Sequence, residues 1–323
     1  MTPPSVVTIG IHIVDILGHP VAAVPEGQGI AFLDEIRMTP AGTCAATAMG
    51  LARLGIPVAT LGYVGDDDLG SWLRGRLAEE GVDVSGLRTS DRSPTSATML
   101  PIRPNGERPA LHVRGANSLV DEELIDWDAL GGASHLHVGG TSLLPLLDGE
   151  ATARVLERAR GLGMTTSLDL IFDPAADYER LLGPCYEHLD YFLPNEEDAL
   201  AISRATDRGD AAAWFLDRGV GAVAVTLGAD GAAYAARGAD AGTVEEFRVP
   251  AFDVEVVDTT GCGDAFSAGF IAALVEGHGA REAVELGVAC GSLVATGLGS
   301  DAGLTDRNAL LRFVRTAARR PEA

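Results

Sequence analysis

Lysine is absent from the 323-residue chain: all 24 basic residues are arginine. This excludes Schiff-base chemistry, pyridoxal phosphate attachment and the GxxxxGK[ST] phosphate loop, each of which needs an ammonium group. Basic charge is scarce as well. Asp and Glu together number 46, giving a net charge of −22. A nucleic-acid backbone is bound by a basic stripe, so no nucleic-acid partner is expected. An anionic ligand would have to be held by a local field made from backbone amides, a few arginines or a divalent metal. Cysteine is rare: Cys44, Cys185, Cys262 and Cys290 stand far apart with no CxxC pair. A zinc or redox site is therefore not expected, and reduced thiols fit a cytoplasmic protein. No apolar run reaches the roughly 18 residues of a membrane span. The first basic residue is Arg37, so the N-terminus lacks the charged start of a secretory signal. A cytoplasmic protein without a membrane partner is the expectation.

What the chain does contain is a sizeable apolar complement. Hydrophobic residues make up 46% and charged residues 22%, which suits a packed core. The run VVTIGIHIVDI from Val6 reads as a buried strand ending near Asp15. Residues 41–54 read as a helix of small residues, 58–65 as a strand and 66–81 as an amphipathic helix. Between 94 and 116 the pattern changes to two short strands around a turn at Asn105-Gly106. Strands at 135–140, 165–170, 191–195 and 222–228 then alternate with helices near 148–162, 177–190 and 196–203. After residue 264 the chain reads as helical, with a loop around Gly297–Gly303. Alternation of this kind means βαβ units and a mostly parallel sheet covered by helices. One α/β unit over 1–323 with a strand-rich excursion is the preferred organisation.

The segment that carries chemistry is 254–276. It reads as a strand, then Asp258-Thr259-Thr260, then Gly261-Cys262-Gly263-Asp264, then a helix. Bare glycine backbone and a helix start make an anion hole without lysine. Asp264 at its lip has two readings. It caps the helix, or it takes a proton from an attacking hydroxyl while the amides hold a phosphoryl group. A dinucleotide fingerprint is a poorer match, because GCGDAF lacks the third glycine.

DTTGCGDAFSAGF resembles the C-terminal signature of the PfkB carbohydrate kinases, the ribokinase-like family, usually written DTxGAGD. LGYVGDDDLG at 61–70, followed by Gly81-Val82-Asp83, resembles that family's GxVGxDxxG motif. Shorter matches are PAG at 40–42, PNEED at 194–198 and VTLGADG at 225–231. The resemblance implies a ribokinase-like three-layer α/β sandwich with a mostly parallel central sheet and a small β-strand lid from about 14–40 and 94–116. It implies an ATP- and Mg2+-dependent kinase acting on an alcohol of a sugar. Asp264 would be the catalytic base, with Gly261, Cys262 and Gly263 donating amides. Asp15 and Gly42 would bind the acceptor. Asn195, Thr226, Gly228 and Gly231 would serve the nucleotide. Asp198 replaces the glutamate of the family's NxxE motif and would support magnesium. Asp258 and Thr260, with Gly297 and Gly299, would form a site for a monovalent cation such as K+, although a serine often seen late in that loop is matched here by Gly303.

Departures from the family bear on the acceptor. Two asparagines and a glutamate that contact sugar in ribokinases are matched by Ile13, Ala46 and Gly140. His12, His137 and one of Arg103, Arg108 and Arg114 are the candidate replacements. A nucleoside acceptor is therefore an alternative to a sugar, and a non-catalytic sensor with the same fold is a second. A homodimer formed through the lid is also expected.

Overall fold

The computed structural model describes residues 4–104, 107–238 and 243–321; the turn expected at Asn105-Gly106 lies outside them. In chain order the strands and helices are β1 (Val6–Gly10), β2 (Ile13–His19), β3 (Glu35–Ala41), α1 (Thr43–Arg53), β4 (Val58–Gly65), α2 (Asp68–Glu79) and β5 (Leu87–Ser90). Next come β6 (Ala97–Pro101), β7 (Leu111–Val113), β8 (His135–Thr141), α3 (Glu150–Gly161), β9 (Thr165–Leu170), α4 (Tyr178–Leu182), β10 (Tyr191–Phe192), α5 (Glu196–Ser203) and α6 (Arg208–Asp217). The chain ends with β11 (Ala222–Thr226), β12 (Ala232–Arg237), β13 (Val244–Val249), α7 (Cys262–Val275), α8 (Ala280–Val294) and α9 (Arg307–Thr316).

Among the described residues nine strands form one sheet in the order β13-β12-β11-β10-β9-β8-β1-β4-β5. Pairings from β5 to β11 are parallel, and β12 and β13 add antiparallel at one edge. The expected series therefore extends two strands beyond 228. Parallel strands buried on both faces must be apolar throughout, and β1 is buried at all five positions. Two apolar clusters result. One contains Val7, Ile9, Leu136 and Leu156; the other contains Val6, Leu51, Phe266 and Phe270 of the α1–α7–α8 side. Among the described residues no helix is long and apolar enough to cross a membrane.

The first apolar run is not one strand. Gly10 adopts φ +148°, with its Cα too close to the Gly139 carbonyl for any side chain. The chain leaves the central sheet there and re-enters a second sheet as β2. That sheet has four strands, β3-β2-β6-β7. Its registers pair Asp15 with Thr39 and Thr98, and Thr98 with His112. The alternate positions pair Ile16 with Met38 and Met99, and Met99 with Leu111. Because side chains alternate along a strand, one face carries Thr39, Asp15, Thr98 and His112, and the other Met38, Ile16, Met99 and Leu111.

Two further expectations change. The helix expected over 177–190 stops at Leu182, and a 3-10 turn runs from Gly183 to His188. Pro184 explains this, since it lacks an N–H and disfavours helical geometry in the residue before it. Residues 254–258 form no strand. They instead bond to the end of α8, where the Ala295 carbonyl accepts from the amides of Val257 and Asp258.

Candidate active site

Two cavities meet at the start of α7. The first, about 560 Å3, lies between the four-stranded sheet and the C-terminal ends of β9 and β11. The second, about 310 Å3, lies between the β11–β12 turn, residues 251–256 and α8. Thr226, Thr259 and Gly263 line both. A ligand spanning the two would cross the N-terminus of α7, where helix amides and dipole favour negative charge.

Gly261 precedes α7 in the left-handed region, φ +78°. A Cβ there would stand 2.4 Å from Cβ of Ser300, so the turn accepts glycine alone. Among the described residues the amides of Gly261, Gly263 and Asp264 donate no hydrogen bond, whereas the Cys262 amide donates to the Thr259 carbonyl at 3.3 Å. The expected amide from Cys262 is thus already used to close the turn, and the free donors are those of its neighbours. The Cys262 side chain lines the second cavity, partly exposed, and burial pushes its thiol up to about 12.

Asp264 does not cap α7; no side-chain cap bond is made at that end. Its carboxyl lines the first cavity, partly open to it and enclosed by protein on its other sides. Burial raises its pKa from the carboxylate range to about 7; the charge of Asp15 adds to the rise and Arg108 opposes it. Asp15, buried in β2, faces Asp264 across the cavity. Its pKa rises to about 6, chiefly by burial, with Thr98 and Arg108 acting in the opposite sense. Gly42 caps α1 beside it at φ +90°, where a Cβ would meet the Ile11 carbonyl at 2.6 Å.

The acidic group on the far wall is larger than expected. Asn195 caps α5 through the amide of Asp198 at 2.8 Å, and its own side-chain amide donates to Asp198 Oδ2 at 2.7 Å. Both residues line the first cavity. Burial lifts Asp198 to about 6, and Glu197 adds to that. Asp169, at the end of β9, was not singled out from the sequence. Burial pushes it well above the carboxylate range, and Asp264 and Asp198 push it further. Its Oδ1 is buried without a hydrogen-bond partner among the described residues, as is Thr43 Oγ1 on the same wall. Asp before the Ile-Phe-Asp-Pro loop was the available signal, but only the fold places it opposite Asp264. Among the described residues no three His, Cys, Asp or Glu side chains stand close enough to ligate a metal directly, so a metal here would be reached partly through water or phosphate oxygens.

Thr226 sits between the cavities, and Gly228 and Gly231 line the second one. Asp258 is consumed within the protein. Its Oδ1 accepts from the amide and hydroxyl of Thr260 at 3.0 and 2.8 Å, and its Oδ2 from the Gly299 amide at 2.9 Å. Thr260 Oγ1 also receives Arg108 at 2.6 Å. Gly297 and Gly299 lie behind the wall; from their loop Ser300 reaches the cavity. Gly303 is a turn residue packed on the Leu293 carbonyl.

His12 and His137 do not reach the acceptor cavity. Both are fully buried. His12 bonds Thr60 Oγ1 at 2.8 Å and the Gly10 carbonyl at 3.0 Å, and His137 bonds Ser167 Oγ at 2.8 Å. Burial lowers their pKa to about 4 and about 3. They lie among apolar and hydroxyl neighbours that favour the neutral ring. Of the three candidate arginines, Arg103 donates to the Ala22 carbonyl and Arg114 pairs with Asp173 at 3.6 Å. Arg108 reaches the cavity. Ile13 lines it too, while Ala46 and Gly140 are buried and do not.

The sequence model of the pfkB family carbohydrate kinases matches residues 4–307. An ATP-dependent ribose-1-phosphate kinase of Halopiger xanaduensis is 33% identical over 84% of this chain and 86% of its own. A 2-dehydro-3-deoxygluconokinase of Bacillus subtilis is 33% identical over 85% and 86%. A crystal structure of an E. coli protein in complex with ATP and Mg2+ superposes with a TM-score of 0.82 at 26% identity, covering 97% of this chain and 99% of that one.

Proposed function

This chain belongs to the pfkB family of carbohydrate kinases and is a sugar kinase, and from that premise we propose that it moves the γ-phosphoryl group of ATP to a hydroxyl held beside Asp15, with Asp264 as general base. The observation that carries this reading is an uncapped carboxyl next to unpaired amides where two cavities join. The smaller cavity suits an apolar ring system, lined as it is by Phe252, Val254, Phe266 and Val288. The larger one suits the acceptor. The amides of Gly261, Gly263 and Asp264 hold the transferring group, and Asp264 accepts the hydroxyl proton as the oxygen attacks in line. Magnesium, when bound, neutralises phosphate charge. Asp198 and the unpartnered Asp169 Oδ1 are the groups that fit it, with Asn195 fixing Asp198. The Asp258–Thr260 pair would act through the loop that it holds, with any K+ confined to carbonyls near Gly297 and Gly299.

The four-stranded sheet would serve as a lid that keeps water from the phosphoryl group. Arg108 is the arginine among the residues lining the acceptor cavity. It favours a sugar carrying phosphate or carboxylate, as the relative named for ribose-1-phosphate does. Ile11, Ile13, Leu143 and Ile171 leave room for an acceptor with an apolar portion, which keeps a nucleoside as the second reading. Coupled ADP detection with ribose, fructose, ribose 1-phosphate, 2-dehydro-3-deoxygluconate and adenosine decides among them. The expected result is acceptor-dependent ADP release, fastest with an anionic sugar. If no acceptor releases ADP, the sensor alternative replaces the kinase.

A further inference from the structure

We infer that Arg37 is a positioning residue that ties the acceptor-bearing sheet to the phosphoryl-holding turn; this rests on the kinase reading above. Arg37 lies on β3, the edge strand of the four-stranded sheet. Its guanidinium crosses to the loop after α8. Nη1 donates to the Leu298 carbonyl at 2.7 Å, and Nη2 to Asp301 Oδ1 at 2.9 Å. These two contacts bracket Gly299 and Ser300.

Gly299 and Ser300 are the residues that shape the anion hole from behind. Ser300 packs on Gly261, leaving no room for a Cβ between them. The Gly299 amide is held by Asp258, which also fixes Thr260. The same loop touches β3 twice more. Ser300 Oγ donates to the Pro40 carbonyl, and a Cβ on Gly299 would stand 2.7 Å from the Thr39 methyl. Thr39 is the cross-strand neighbour of Asp15. A short route therefore runs from Asp15 through β3 to Gly261. Arg37 is its charged anchor, with a planar fork suited to hold a carbonyl and a carboxylate at once. Asp301 is itself fixed from the opposite side, where Arg53 donates to its carbonyl at 2.8 Å. With Arg37 removed, the sheet and the turn keep their own structures and stay joined through the Ser300–Pro40 bond and the Gly299–Thr39 contact, so their separation is held less firmly. Reaction rates are sensitive to such misplacement.

The test compares wild type with Arg37→Ala, Arg37→Lys and Asp301→Asn, using whichever acceptor of the panel turns over fastest. Arg37→Ala is expected to lower kcat by at least about tenfold, with KM for ATP and for the acceptor each within about threefold. Arg37→Lys should recover part of the loss, because an ammonium reaches one partner at a time. The second readout is the dissociation constant of AMP-PNP with and without that acceptor. Wild type should show coupling of about fivefold or more between the two sites, and Arg37→Ala a ratio near one. Should Arg37→Ala fold poorly, Asp301→Asn gives the same comparison, since it removes only the charge that Arg37 meets. A kcat within twofold of wild type, or an AMP-PNP ratio equal in wild type and variant, overturns the inference. Wild type inactive on every acceptor overturns the kinase reading instead.

Discussion

Asp264 concentrates the energetic conflict of the site. Its folded pKa, about 7, lies above the ordinary carboxylate value because burial and Asp15 disfavour charge. Such a group stabilises the fold while protonated, and that contribution is lost as pH rises from the unfolded pKa near 4 through 7. The proposed role as general base needs the opposite state. Asp264→Asn should therefore lower kcat by about 10²–10⁴-fold while raising Tm at pH 8 by a few degrees; differential scanning calorimetry beside steady-state rates checks both, and a variant that melts lower sinks the argument. For wild type, kcat/KM should climb between about pH 6 and 7, as Asp15 and then Asp264 ionise. A flat profile over that range contradicts the assignment. The local geometry at 261–264 was legible in the sequence because turn, helix start and carboxyl are neighbours along the chain. His12 was misjudged because the direction of a side chain depends on the strand break at Gly10, which one apolar run conceals. Asp169 was missed because its meaning comes from Asp198 and Asp264, which only the sheet order places nearby.

Elements were legible where local chemistry sets them. The helix at 68–79 shows this best. Asp67 caps it through the Gly70 amide at 2.8 Å, and also accepts from the Thr95 amide and hydroxyl at 2.8 and 2.6 Å. Partial burial pushes its carboxyl up, but these bonds outweigh that and hold it below the usual range. The cap was readable from acids at a helix start; the link to Thr95, just before β6, was not. Asp67→Ala removes both. The expected cost is about 1–2 kcal/mol of stability together with a raised acceptor KM, since β6 carries Thr98 and Leu100 on the cavity wall. Because the carboxyl is depressed, its contribution is present at neutral pH and is lost as pH falls through its folded pKa. Urea unfolding at pH 7 and at pH 3 should thus show a wild-type advantage over Asp67→Ala that shrinks on acidification. Strand pairing was less legible than capping. Residues 254–258 have strand composition, yet their amides find the α8 terminus instead of a strand.

At the scale of the whole molecule, the alternating strands and helices were enough to read a parallel sheet, while the second sheet was legible only through the family resemblance, which implied a strand lid from about 14–40 and 94–116. The division of strands between two sheets decides what the molecule shows to solvent. The cavity face of the small sheet is polar, and its outer face is apolar, with Met99 58% and Leu111 63% exposed beside Ile36 at 72%. A net charge of −22 keeps molecules apart at long range. The outer face runs against that tendency, and contiguous exposed apolar surface marks an interaction site. A second copy of the chain covering it with its own matching face would be the lid-to-lid homodimer expected from the sequence. Each lid would then be braced by the other above its acceptor cavity. Sedimentation velocity should show a dimer that strengthens with salt, as screening weakens the mutual repulsion while leaving apolar burial intact. Met99→Glu, on the outer face and away from the cavity, should give a monomer with normal melting but a raised acceptor KM. A wild type that stays monomeric from low to high salt would leave this apolar face without its partner, and the lid would have to close by its own strand pairing and its ties through Arg37 and Arg108.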